Sequence, residues 1–153
     1  MEGNLLLEVL RLSPKANLPI RAYGESAAWD LHAHLLNDAG RPFTVTLAPH
    51  STRVVGTGLA LRAPSGCLIL ICSRSGLATR SIFVANAPGV VDPDYTGEIR
   101  VALYNGGMEP HYVKHGDRIA QALVLPLCVC DILEVKSFPT TERGERGFGS
   151  SGD

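Results

Sequence analysis

Short aliphatic and β-branched segments recur along the chain at close intervals, and each is cut off by a cluster of glycine, proline, asparagine or aspartate. The segments are residues 5–12, 43–47, 57–61, 67–72, 99–104, 118–125 and 129–135. Between them lie turn-forming runs: SPKANLP, NDAGRP, RAPSG, NAPG, DPDYTG, NGGMEP and KHGD. Many short strands punctuated in this way predict an all-β chain folded as a sandwich or barrel. Phe43, Val45 and Leu47 alternate with Thr44 and Thr46, as a half-buried strand requires, whereas residues 67–72 (CLILIC) have no polar break and read as buried on both faces. The only place for helix is a short turn in SGLATR, residues 75–80.

A chain of 153 residues with 45% hydrophobic and 19% charged residues has enough apolar surface for one core and is excluded from the disordered class. Its formal net charge of -1 gives no electrostatic case for nucleic acid or an anionic membrane. Any phosphate must therefore be held locally. Hydrophobicity falls away after Ser137, which divides the chain into a β domain (1–137) and a glycine-rich C-terminal arm (138–153). Four of the sixteen glycines, Gly144, Gly147, Gly149 and Gly152, stand in the last ten positions. Cys67, Cys72, Cys128 and Cys130 lie in apolar runs without zinc-site spacing, and the strict alternation of Cys128 and Cys130 predicts one buried strand face. The N-terminus MEGNLLLEVLRL lacks the pattern of a signal peptide, and no apolar run approaches the roughly 20 residues that span a bilayer. The expected setting is a reducing one, cytoplasmic or nuclear.

Three stretches carry groups suited to chemistry, each open to two readings. Gly144, Gly149 and Ser150 have the skeleton of a phosphate-binding P-loop, but without its lysine, its strand or its helix. The arm is then either a disordered end or a flap whose Arg143, Arg146 and backbone N–H groups cover a triphosphate while Phe148 stacks on a base. Ser73, Arg74, Ser75 and Gly76 form either an anion pocket at a strand end or a turn capped by Ser75. In NAPGVVDPDYTG, residues 86–97, Asp92 is either a turn former or a carboxylate able to take a proton from water. His32, His34, His50, His111 and His115 make no metal-ligand pattern and read as surface or hydrogen-bonded residues.

Taken in order, these pieces resemble the trimeric deoxyuridine triphosphate nucleotidohydrolases, the dUTPases. AAWDLHA (27–33), SRSGLA (73–78), GVVDPDYTGE (89–98), GDRIAQALV (116–124) and RGERGFGSSG (143–152) are similar to the family's five motifs. The resemblance implies a distorted jelly-roll β sandwich and a homotrimer whose active sites are shared between subunits. It implies Mg²⁺-dependent hydrolysis of dUTP to dUMP and pyrophosphate, which limits uracil incorporation into DNA and supplies dUMP for thymidylate synthesis. By the same resemblance Asp92 orients the attacking water and Asp30 holds Mg²⁺ through its water shell. Arg74, Ser75, Gly76, Arg100 and Gln121 contact substrate, and Asn86, Gly89, Val90 and Val91 read uracil. Tyr95 lies against the deoxyribose, and Arg143, Phe148, Gly149 and Ser150 belong to the closing arm.

The chain departs from the family pattern at Ala28 and Trp29 (glycine and tyrosine), Ser73 (proline) and Arg146 (glycine). A deoxycytidine triphosphate deaminase of the same fold would carry a glutamate after Arg-Ser-Ser, where this chain has Arg-Ser-Gly. A non-catalytic nucleotide binder would have no need of Asp92.

Overall fold

The computed structural model describes residues 5–146. Along these residues the elements are β1 (Glu8–Arg11), β2 (Trp29–His32), β3 (Thr44–Leu47), β4 (Ser51–Arg62), β5 (Cys67–Cys72), α1 (Ser75–Ala78), β6 (Ile82–Val84), β7 (Gly89–Val91), β8 (Glu98–Asn105), β9 (His111–Lys114) and β10 (Arg118–Pro126). One antiparallel sheet has the order β1-β4-β8-β6 and a second the order β2-β10-β5-β7, while β3 and β9 form a separate ribbon. Leu31, Ile69 and Ile71 from the second sheet share one core with Val55, Leu61, Val101 and Leu103 from the first. The expected jelly-roll-like β sandwich and its one short helix are both present.

The alternation rule holds more strictly than the sequence suggested at β5, where Cys67, Ile69 and Ile71 are buried and Leu68, Leu70 and Cys72 only partly so. An unbroken apolar run thus has a single core face here. β4 is irregular because its pairing with β8 shifts between Gly56 and Ala60. Gly58 takes φ +66° there, and its amide donates to Glu98 Oε1 at 2.8 Å. A Cβ at Gly56 would lie 2.5 Å from the same oxygen, so glycine is what lets the carboxylate close the bulge. Buried Thr57 donates to the Ile99 carbonyl at 2.7 Å and leaves no orphan hydroxyl.

Two expectations fail. Residues 129–135 form no strand, because the ladder ends where β5 ends: Pro126 pairs with Cys67, and the Leu127 amide makes the last bond, to the Gly66 carbonyl. Beyond that point β5 offers no further residues for the chain to pair with. Cys128 and Cys130 are accordingly exposed, not buried, and Val129, Ile132 and Leu133 are 84%, 100% and 82% exposed. The histidines also differ from the surface reading, since His32 is buried and the Nδ1 atoms of His32 and His34 have no hydrogen-bond partner among the described residues. His115 is satisfied, its Nδ1 accepting the Leu35 amide.

Burial lowers the pKa of His34 from its ordinary 6.5, with His115 adding to the shift and Glu98 opposing it. Burial lowers His32 as well, and burial with the Arg80 charge lowers His111. Such groups protonate in the unfolded chain before they do so in the fold. Stability is therefore complete above pH 6.5 and declines as pH falls from there through the lowered folded-state values. Urea titrations at a series of pH values should show this decline, and His34→Gln should shrink it. A flat profile between about pH 7.5 and about pH 5 would contradict the assignment.

Candidate active site

β7, the turn that follows it and β8 enclose a cavity of about 410 Å³, within the range of small-molecule sites. Asn86, Gly89, Val90, Val91, Asp92, Tyr95 and Arg100 all line it, beside apolar Ile71, Val84 and Ile99. Glycine at the strand start makes room for a neighbour: a Cβ on Gly89 would lie 3.1 Å from Asn86 Nδ2, close enough to press that amide aside, and 3.5 Å from Ile71 Cβ. The Asn86 amide therefore lies close over bare backbone, and donors and acceptors of both meet in one wall.

The turn after β7 is bonded to itself. The Tyr95 amide donates to the Asp92 carbonyl at 3.1 Å, and Tyr95 Oη donates to the Glu98 carbonyl at 2.9 Å. The ring lies against Gly97, where a Cβ would come within 2.7 Å of Tyr95 Cζ. These bonds fix Tyr95 over the cavity and hold exposed Asp92 in its lining. Glu98 lines the same cavity and was missed by the sequence reading. Its partner glycines, Gly56 just before the 57–61 segment and Gly58 within it, stand about 40 residues away in the chain, so no local signal ties it to them.

A second group of the expected residues lies outside this cavity lining. Asp30 on β2 is 7% exposed; its Oδ1 accepts from Arg74 Nε at 2.7 Å and its Oδ2 from Arg118 Nη1 at 3.2 Å. Arg74 precedes α1, and Ser75 makes no side-chain cap, so the capping alternative fails. The first bonded amide of this turn is that of Leu77, which donates to the Arg74 carbonyl. Ser75 and Gly76 are exposed ahead of it, and a Cβ on Gly76 would meet nothing within 4 Å. Early helical amides beside an arginine suit an anion. Gln121 Nε2 donates to the Ser73 carbonyl at 2.8 Å, which ties the fourth motif to the second and leaves one amide hydrogen for a ligand.

Two departures from the family pattern have structural explanations. The Ser73 hydroxyl accepts the Val84 amide at 2.8 Å, a bond proline cannot make. The Trp29 ring lies 4.4 Å from Arg21 Cζ, a cation–π contact. In the arm, Arg143 and Arg146 each donate Nε to the other's carbonyl at 3.0 Å, so Arg146 closes a local turn. Phe148, Gly149 and Ser150 lie outside the described residues.

The family model for dUTPase matches residues 14–152. The chain belongs to the dUTPase family. It is 40% identical over 148 residues to the deoxyuridine 5'-triphosphate nucleotidohydrolase of Corynebacterium glutamicum, covering 95% of this chain and 94% of that protein. It is 39% identical over 154 residues to that of Ehrlichia canis, covering 97% and 96%. A dUTPase variant of Staphylococcus bacteriophage 80alpha, solved with dUpNHpp, superposes with a TM-score of 0.85 at 25% identity over 97% of this chain and 99% of that one. The first four motifs, which lie wholly within the described residues, thus sit on the fold of a dUTPase.

Proposed function

We propose that the protein hydrolyses dUTP to dUMP and pyrophosphate in a Mg²⁺-dependent reaction, at sites shared between the subunits of a homotrimer. The observation that carries this reading is the cavity between β7 and β8, whose lining joins Asn86, Gly89, Asp92 and Tyr95. Asn86 and the backbone of β7 present donors and acceptors to uracil, and their close approach leaves no space for a thymine methyl. A hydrogen-bonded wall of this kind also rejects cytosine, because the wrong base leaves polar groups unpaired. Tyr95 packs where a ribose 2′-hydroxyl would stand.

Asp92 accepts a proton from water as the water oxygen bonds to the α-phosphorus; the bond from that phosphorus to the bridging oxygen breaks, and pyrophosphate leaves. Arg74 and the first amides of α1 take the phosphate charge, with Gln121 beside them, and Arg100 lines the nucleoside side. Catalysis of this kind rests on positioning and charge stabilisation. Bound with the triphosphate, Mg²⁺ supplies further neutralisation of its oxygens. Asp30 suits an outer-sphere hold on such an ion, because Oδ1 accepts one hydrogen bond and keeps a lone pair for a water, while two guanidinium partners on the carboxylate disfavour direct ligation.

The separation of the expected residues into two groups supports shared sites. So does the apolar segment after β10, with Ile132 100% and Phe138 87% exposed; an apolar run left without an edge to pair in its own chain suits a neighbouring subunit. In a reducing cytoplasm or nucleus the reaction would keep uracil out of DNA and provide dUMP. Hydrolysis in ¹⁸O-labelled water tests the chemistry: the label should enter dUMP, whereas label in pyrophosphate would mean attack at the β-phosphorus.

A further inference from the structure

Arg74 has five N–H donors in a rigid fork, and three of them are spoken for. Nε donates to Asp30 Oδ1 at 2.7 Å, Nη2 to Asp30 Oδ2 at 3.4 Å and Nη1 to the Arg118 carbonyl at 3.4 Å. Among the described residues one hydrogen on Nη1 and one on Nη2 have no partner, and a guanidinium with donors to spare on both Nη atoms can engage two oxygens of a phosphate. Arg74 is thus oriented before any substrate arrives.

The orientation depends on Arg118 twice, once through its carbonyl and once through its side chain, which shares Asp30 Oδ2 with Arg74 at 3.2 Å. Its placement is a consequence of strand register. β10 pairs with β2 so that Gln121 faces Asp30 and Arg118 faces His32, with a shift in the ladder between Arg118 and Ala120. Such a bulge turns a side chain out of the regular alternation. Without it Arg118 would keep the direction set by the rest of β10.

We infer that Arg118 is a positioning residue for phosphate binding, acting on the triphosphate through Asp30 and Arg74. This rests on the dUTP hydrolase reading and adds to it a residue that reading leaves without a role. A lone Asp30–Arg74 pair would leave Oδ2 with one long bond and the carboxylate free to turn about its χ2. Arg118 holds the carboxylate plane, and the plane holds the fork. Direct contact of Arg118 with phosphate is the competing role, because its side chain is 48% exposed.

A double-mutant cycle separates the two. In the full-length protein, Arg118→Ala should lower kcat/KM for dUTP about 10- to 30-fold, while the affinity for deoxyuridine, which has no phosphate, stays within about twofold. In an Arg74→Ala background the same substitution should cost less than about twofold, because the group it orients is gone. Arg118→Lys should recover part of the loss. The inference is overturned if the full loss persists in the Arg74→Ala background, which would make Arg118 a direct phosphate ligand, or if deoxyuridine affinity falls equally, which would make it a structural residue. Should Arg118→Ala not fold, Arg118→Gln keeps most of the stem and enters the same cycle. Failure of the underlying reading would appear separately, as no turnover of dUTP by the unsubstituted protein.

Discussion

Asp92→Asn should lower kcat for dUTP about 10²- to 10⁴-fold and leave the affinity for a non-hydrolysable dUTP analogue within about threefold. The reason lies in what the substitution keeps. Asparagine has the shape of aspartate and retains one acceptor, so the turn closed by the Tyr95 amide on the residue-92 carbonyl is untouched. Asp92 is exposed at the cavity wall, so no buried partner is orphaned by the change. What is lost is the charge that accepts a proton as water attacks. Single-turnover kinetics and calorimetric binding, measured on the same preparation, separate the two effects. Equal losses of binding and turnover would make Asp92 a structural turn residue.

Removal of residues 143–153 should lower kcat/KM about 10²-fold or more while sedimentation still shows a trimer. Residues 143–153 have two arginines, four glycines and one aromatic residue, and among the described residues Arg143 and Arg146 are exposed and bond only to each other and to Glu142. Of these, the described Arg143, Gly144 and Arg146 stand outside the core cluster. The larger apolar stretch, with Val129, Ile132 and Leu133, precedes the cut, and it is this stretch that suits subunit contact. If arm and Asp92 serve one site from different chains, mixing truncated protein with the Asp92→Asn variant should restore activity at about one quarter of the sites. No recovery after verified subunit exchange would place both in the same chain. Dissociation of the truncated protein to monomers would make the arm an assembly element.

The strands that sequence alone revealed are those with enough apolar residues to alternate, such as β3, β4, β8 and β10. β6 and β7 have only three residues, too few to show a period, β9 (HYVK) has a single aliphatic residue, and the pairing that makes them strands is set by neighbours distant in the chain. Residues 129–135 show the opposite error: their pattern suits a strand, but the partner edge ends at Cys67. The cavity was legible because Asn86 to Arg100 is nearly contiguous. The clamp was not, since Asp30, Arg74 and Arg118 stand 44 and 88 residues apart, and nothing short of the β2–β10 register brings them together. Ser73 and Trp29 looked like departures until their partners, Val84 and Arg21, were known.

The most direct test is release of pyrophosphate from nucleoside triphosphates in the presence of Mg²⁺. A site that pairs uracil with Asn86 and the Gly89 backbone, and that closes the sugar side with Tyr95, predicts rapid release from dUTP and little from dCTP, dTTP or UTP. Tight binding of dUTP with no pyrophosphate formed would contradict the account and leave the protein a nucleotide binder.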